Sequence, residues 1–203
     1  MKYAEEFRQI FSSYDYPAFK ARDVALAFKA KKISEGYIRL MLHNYLSSGK
    51  IVRITNGVYT FHRDSIVAGF AFTPFYYGLE SALSIMGIST QQANNVIITP
   101  RNVRQGTRAL LGRNYRITHI NMDMFFGYEI VKFGNFWVPV SNLEKTLIDM
   151  AYFNVPIRDE LHEEIRKRID RKRLDAYAKR AQPYFRRDTI SSLKRAGLLV
   201  EIG

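Results

Sequence analysis

The residues best suited to chemistry lie between Ser34 and Asn56. Arg39 carries a guanidinium that can grip guanine O6 and N7 through two parallel hydrogen bonds. Tyr37, His43 and Asn44 offer further donors and acceptors beside it, and Ser34 opens the same segment. Lys50, Arg53 and Asn56 follow at positions suited to phosphates or a minor groove. Lys20 and Arg22, a little upstream, complete the candidate DNA contacts. The competing reading of each is a solvated face.

Hydrolytic or transfer chemistry has less to work with. His43, His62, His119 and His162 are scattered, and none stands at metal-ligand spacing from another or from a carboxylate. The chain has no phosphate-cradling glycine loop, no G-x-S-x-G elbow and no zinc pattern, so no metal and no cofactor is expected. Glu144 and Asp149 are five apart, about 140° round a helix, and do not converge. Lys145 and Asp149 share a face, which reads as a simple ion pair one turn apart. A non-enzymatic protein is expected.

The elements that would position the DNA candidates can be taken in order. Tyr3, Phe7, Ile10 and Phe11 recur at helical spacing, and Tyr16-Pro17 ends that helix. Phe19-Lys20-Ala21 reads as a short strand. Val24, Leu26, Ala27 and Phe28 make a second helix from Asp23. Ser34 caps a third, with Glu35 at the positive end of its dipole. Ile38, Leu42, Tyr45 and Leu46 form its inner side, leaving Gly36, Tyr37, Arg39, Leu40, His43 and Asn44 outside. Gly49 closes it, and Ile51–Ile54 with Val58–Phe61 form a hairpin around Asn56-Gly57. Strand, two helices and hairpin in that order are a winged helix-turn-helix, with the third helix in the major groove and the hairpin as the wing.

The bulk numbers agree with a polyanion partner. The formal net charge is +12 over 203 residues, and each phosphate neutralised by a cation releases a counterion. A hydrophobic content of 47% suffices for packed cores. There is no cysteine, hence no disulfide and no thiolate site. No apolar run approaches a membrane span, and the N-terminus does not read as a signal peptide. The expected setting is the cytoplasm, with no membrane partner.

After Arg63 the character changes, and a boundary is drawn there: residues 1–63 as the DNA-binding domain, 64–203 as a second, mixed α/β domain. Asp64–Phe72 reads as an apolar connector, Leu79–Met86 as a helix, Val96–Thr99 and Arg116–Ile120 as strands, and 129–131 with 136–140 as a hairpin around Gly134-Asn135. Ser141 or Asn142 caps a helix through Ala151. Arg101, Arg104, Arg108, Arg113 and Arg116 form an acid-free run and a candidate second basic surface. From Arg158 to Gly203 the chain reads as a charged helical tail, and the fold class as α+β.

Four stretches together resemble a known family. The winged helix ending in G-K-I-V-R-I-T-N-G-V-Y, Phe75–Leu83 (F-Y-Y-G-L-E-S-A-L) with Gly87, Asn121–Gly127 with its Phe125-Phe126-Gly127, and Val140–Asp149 (V-S-N-L-E-K-T-L-I-D) are similar to the AbiEi antitoxins of the AbiE (type IV) toxin–antitoxin systems. The likeness covers most of the chain to about residue 155. It implies a bifunctional protein. The N-terminal domain would bind inverted repeats in double-stranded DNA of its own promoter and repress it. The C-terminal domain would counteract a nucleotidyltransferase-type toxin without a stable complex, as in abortive infection against phage. In these motifs Glu80, Ser81, Glu144 and Lys145 read as scaffold. The rivals are an RNA-binding factor or RNA-directed enzyme that holds its substrate with the winged helix, and a protein–protein adaptor.

Overall fold

Aromatic residues organise the first part of the chain. The computed structural model describes residues 2–89 and 95–185, and in these the protein is a mixed α and β fold. Helix α1 (Ala4–Phe11) buries Phe7 and Phe11. Strand β1 (Phe19–Lys20) leads directly into α2 (Ala21–Ala27), whose start is fixed by the Lys20 N–H donating to Asp23 Oδ2 at 2.7 Å. A 3-10 turn (Lys29–Lys31) follows, ending on Lys32 in the left-handed region at φ 51°. Helix α3 (Glu35–Ser47) then packs Ile38, Met41, Leu42 and Tyr45 inward.

Phe7 and Tyr45 meet edge-on with centroids 4.9 Å apart, and the Tyr45 hydroxyl donates to the Ala4 carbonyl at 2.7 Å. That bond ties α1 to α3. With Phe11, Phe19, Val24, Phe28 and Ile51 these side chains form one core, each worth roughly 1.5–3 kcal/mol on burial. Met41 joins the inner face, and Leu46 packs half-buried against the same core. Leu26, expected in the core, is exposed, because it stands about 200° round α2 from Val24, which is buried together with Phe28 one turn on.

Strands β2 (Val52–Thr55) and β3 (Val58–Thr60) form the hairpin, and β1 adds to β3, giving a three-stranded antiparallel sheet ordered β1-β3-β2. At the turn Gly57 alone is left-handed (φ 74°), and the register shifts between Arg53 and Thr55. The hairpin is therefore bulged, and is not the two-residue mirror-image turn that Asn-Gly favours.

The apolar connector coils into 3-10 turns over Ser65–Phe72, begun by the Asp64 carboxylate accepting the Ile66 N–H at 3.0 Å. Two compact units result. Among the described residues, the first takes in 2–73, 108–114 and 132–136, and the second the described parts of 74–107, 115–131 and 137–185. The connector thus groups with the first unit.

The larger sheet is six-stranded, ordered β6-β7-β5-β4-β9-β8. Its members are β4 (Tyr76–Tyr77), β5 (Asn95–Thr99), β6 (Gly106–Leu110), β7 (Arg113–His119), β8 (Tyr128–Phe133) and β9 (Phe136–Ser141). β4 runs antiparallel to β5 and parallel to β9, while β5 is parallel to β7. Two strands escape a reading by pattern. β4 is two residues long and is defined by its pairing with Ile97, Ile98 and Val140. β6 lies in the arginine run and is mostly exposed. Helices α4 (Glu80–Ile85), α5 (Leu143–Tyr152), α6 (His162–Arg168) and α7 (Arg171–Ala181) share a core with the sheet through Tyr76, Leu83, Ile98, Met124, Leu147, Ile165 and Leu174. The part of the charged tail beyond residue 185 lies outside the described residues. No helix among the described residues is long and apolar enough to cross a membrane.

Candidate nucleic-acid interface

Both ends of helix α3 are fixed by local chemistry. Ser34 Oγ accepts the Tyr37 N–H at 3.2 Å at the start. At the end Gly49 turns left-handed (φ 66°), the Gly49 N–H donates to the Leu46 carbonyl at 3.0 Å and the Lys50 N–H to the Tyr45 carbonyl at 2.9 Å. That pair of bonds is the Schellman termination, which supplies donors for carbonyls the helix itself cannot satisfy. With the inner face held by Ile38, Met41, Leu42 and Tyr45, the opposite side is set by the ~100° step per residue. Gly36, Arg39, Leu40, His43 and Asn44 are all exposed there.

The remaining candidates divide by what they already do. Arg39 reaches back to Glu35 at 3.0 Å, with the two side chains 77% and 82% exposed. A solvated pair of this kind contributes about 0.3–0.5 kcal/mol, so it yields easily to a stronger anion. Arg22 is exposed with its guanidinium 3.6 Å from Asp23. Lys50 is exposed with its ammonium 5.6 Å from the Tyr45 ring centre. Arg53 and Asn56 are exposed on the hairpin, and Lys20 is half-buried. Two candidates are committed internally. Ser34 spends its oxygen on the cap, and Tyr37, expected outside, turns in against α1: its ring meets Tyr3 edge-on at 5.9 Å and its hydroxyl accepts the Tyr3 N–H at 3.3 Å.

The arginine run does not lie on one exposed strip. Arg108 and Arg113 group with the first unit, and Arg101, Arg104 and Arg116 with the second. Arg104 and Arg113 are exposed. Arg101 is half-buried, and Arg108 lays its guanidinium 5.7 Å from the centre of the Phe72 ring. Arg116 is half-buried, with its Nε shielded and without a hydrogen-bond partner.

The second unit holds a polar cluster that the spacing of Lys145 and Asp149 only half reveals. The ion pair forms, but both side chains are 0% exposed. Tyr76 donates its hydroxyl to the other Asp149 oxygen at 2.8 Å. The Lys145 ammonium also lies 4.9 Å from the Phe126 ring centre, and Arg180 covers that ring at 4.0 Å. Burial, opposed by the partner's charge, holds Lys145 below its ordinary range and Asp149 above its own; it also raises Tyr76 well above the usual phenol range. Gly127 explains the Phe-Phe-Gly motif. It is left-handed (φ 69°), and a Cβ there would stand 2.9 Å from Lys145 Cβ and from Tyr177 Cε2.

The other motif residues are held by specific bonds. Ser81 Oγ accepts the Val96 N–H at 2.6 Å, and Glu144 accepts the Asp170 N–H at 2.8 Å with Arg173 at 3.8 Å. Asn142, not Ser141, caps α5 by accepting the Lys145 N–H at 3.0 Å, while Ser141 bonds Thr146 at 2.7 Å. Glu144 and Asp149 serve different partners. Among the described residues no three His, Asp or Glu side chains are gathered to hold a metal ion.

Leu40 is exposed as its helical spacing implies, whereas the burial of Lys145 and Asp149 and the exposure of Trp137 do not follow from the sequence pattern. Lys145 and Asp149 carry no local signal of burial, because Asn142 and Thr146 on the same helix face are polar too. No family model matches the sequence, and no curated protein matches it.

Proposed function

We propose that the first unit is a winged helix-turn-helix that binds double-stranded DNA, with α3 in the major groove and the β2–β3 hairpin as its wing. The observation that carries this reading is the division of α3 into a buried side and a fully exposed side bearing Arg39, His43 and Asn44, in a chain of net charge +12. Arg39 exchanges Glu35 for a guanine edge, while Lys50 and Arg53 engage phosphates.

We infer further that the protein is an autorepressing antitoxin of the AbiEi type. It binds inverted repeats in its own promoter, acts in the cytoplasm without catalysing a reaction, and counteracts a nucleotidyltransferase-type toxin through its second unit. Support comes from the motifs around Phe75–Leu83, Asn121–Gly127 and Val140–Asp149, whose residues serve as the scaffold of the second unit. Lys145, Asp149 and Tyr76 are sealed from solvent and have no access to a substrate.

The test is binding to the DNA directly upstream of the gene, against scrambled DNA of equal length, across a salt series. Preference for the upstream fragment that persists at physiological salt is expected. Equal affinities that vanish together as salt rises would overturn the repressor reading and turn attention to RNA.

A further inference from the structure

The outward face of α3 has an apolar centre. Taking about 100° per residue, the middle of the buried side falls among Ile38, Met41, Leu42 and Tyr45, and the position opposite falls between Gly36, Leu40, His43 and Ser47. Arg39 lies toward one flank. At this central line Leu40 is 54% exposed, with no hydrogen-bonding group of its own.

Gly36 sits one turn before Leu40 on the same line. A glycine inside a helix is disfavoured relative to alanine, so a structural reason is expected, and none is visible among the described residues. Its backbone is not left-handed. A Cβ built there would meet nothing nearer than Ser34 Oγ at 4.0 Å. The fold has room for a side chain that the sequence omits. Omitting it leaves a bare notch at the start of the helix, in front of a protruding leucine. A glycine without an internal reason is what close approach of a backbone to a partner requires.

We propose that Leu40, with the notch at Gly36, reads thymine C5-methyl groups in the major groove. This rests on the DNA reading above and sharpens it from DNA in general to thymine-containing half-sites. The methyl is the apolar feature of the major-groove edge, and apolar side chains are its partners. Arg39 on its flank, held only by a solvated pair with Glu35, and the net charge of +12 make a polyanion the complementary occupant of this face. No bond is made or broken; the methyl leaves water for contact with the leucine, and the notch lets the helix sit close enough for that contact.

The experiment uses the full chain and two versions of the upstream fragment, one with thymine and one amplified with deoxyuridine throughout, which removes only the methyls. The wild type is expected to bind the uracil fragment about fourfold more weakly for each methyl in contact. Leu40→Ala is expected to bind both fragments alike. Gly36→Ala is expected to raise the melting temperature yet weaken binding to the thymine fragment, two shifts of opposite sense that a misfolded variant could not show. Indifference of the wild type to uracil, or full discrimination retained by Leu40→Ala, would overturn the assignment. Wild-type affinity in Gly36→Ala would remove the notch from it. If the wild type prefers upstream to scrambled DNA but ignores uracil, the Leu40 assignment alone fails. If it shows no preference for upstream DNA, the DNA reading fails and takes this assignment with it.

Discussion

Helices α3 and α5 each carry a basic–acidic pair four residues apart, and the two pairs live in opposite worlds. On α3 Glu35 and Arg39 are about four-fifths exposed and loosely joined at 3.0 Å. On α5 Lys145 and Asp149 are wholly buried, clasped to each other and to the Tyr76 hydroxyl. The spacing is the same. The difference lies in what surrounds it: solvent in one case, Phe126, Tyr76 and Gly127 in the other. A solvated pair can be exchanged for a ligand at little cost, whereas a buried one fixes a core and cannot be exchanged at all. Helix α3 thereby keeps its pair available, and α5 locks its own away.

The largest effect comes from breaking the buried pair. Asp149→Asn strands an ammonium in the core and should cost about 3–5 kcal/mol in urea unfolding. Removing all three polar groups together, as Tyr76→Phe/Lys145→Met/Asp149→Leu, should restore stability to within about 1 kcal/mol of wild type or exceed it. A triple variant as unstable as the single one would show that the cluster contributes more than mutual compensation.

The same comparison has a pH signature. Asp149 has its folded pKa raised above the ordinary 3.8, so the folded chain keeps a proton the unfolded chain has released, and stability falls as pH rises above that value. Lys145 has its folded pKa lowered from 10.5, so stability recovers as pH climbs toward that value. The difference in unfolding free energy between wild type and the triple variant should follow both slopes; a flat difference would contradict the burial argument.

Smaller effects follow around the edges of the two sites. Gly127→Ala should cost about 1–3 kcal/mol, because it combines a left-handed backbone with a Cβ pressed on Lys145 and Tyr177. Ser34→Ala removes the α3 cap and should cost about 1 kcal/mol in thermal unfolding. Glu35→Gln should change stability by no more than about 0.5 kcal/mol and leave Arg39 freer for DNA; a cost near that of Asp149→Asn would erase the distinction between the two pairs.

Much of the first unit is legible in sequence because its signals are local. Ser34 before Glu35, Gly49 after Ser48 and Asn56-Gly57 each act within a few residues; the structure uses the first two as read and turns at the third with a bulge. The second unit is less legible because its decisive partners are remote. Tyr76 is a strand residue only because Ile98 lies beside it, 22 positions along. Lys145 looks like a surface lysine until Phe126 and Tyr76 close over it. Helical spacing shows which residues share a face; it cannot show what that face meets.

On the proposed reading, the exposed face of α3 contacts base edges while Lys50 and Arg53 hold phosphates. The direct measurement compares Arg39→Ala, Lys50→Ala and Arg53→Ala by the ratio of their affinities for upstream and scrambled DNA at fixed salt. Arg39→Ala should cost about 1–3 kcal/mol on the upstream fragment and little on the scrambled one, so that the ratio collapses. Lys50→Ala and Arg53→Ala should weaken both alike and lower the salt dependence. Equal losses on both fragments for Arg39→Ala would contradict the claim.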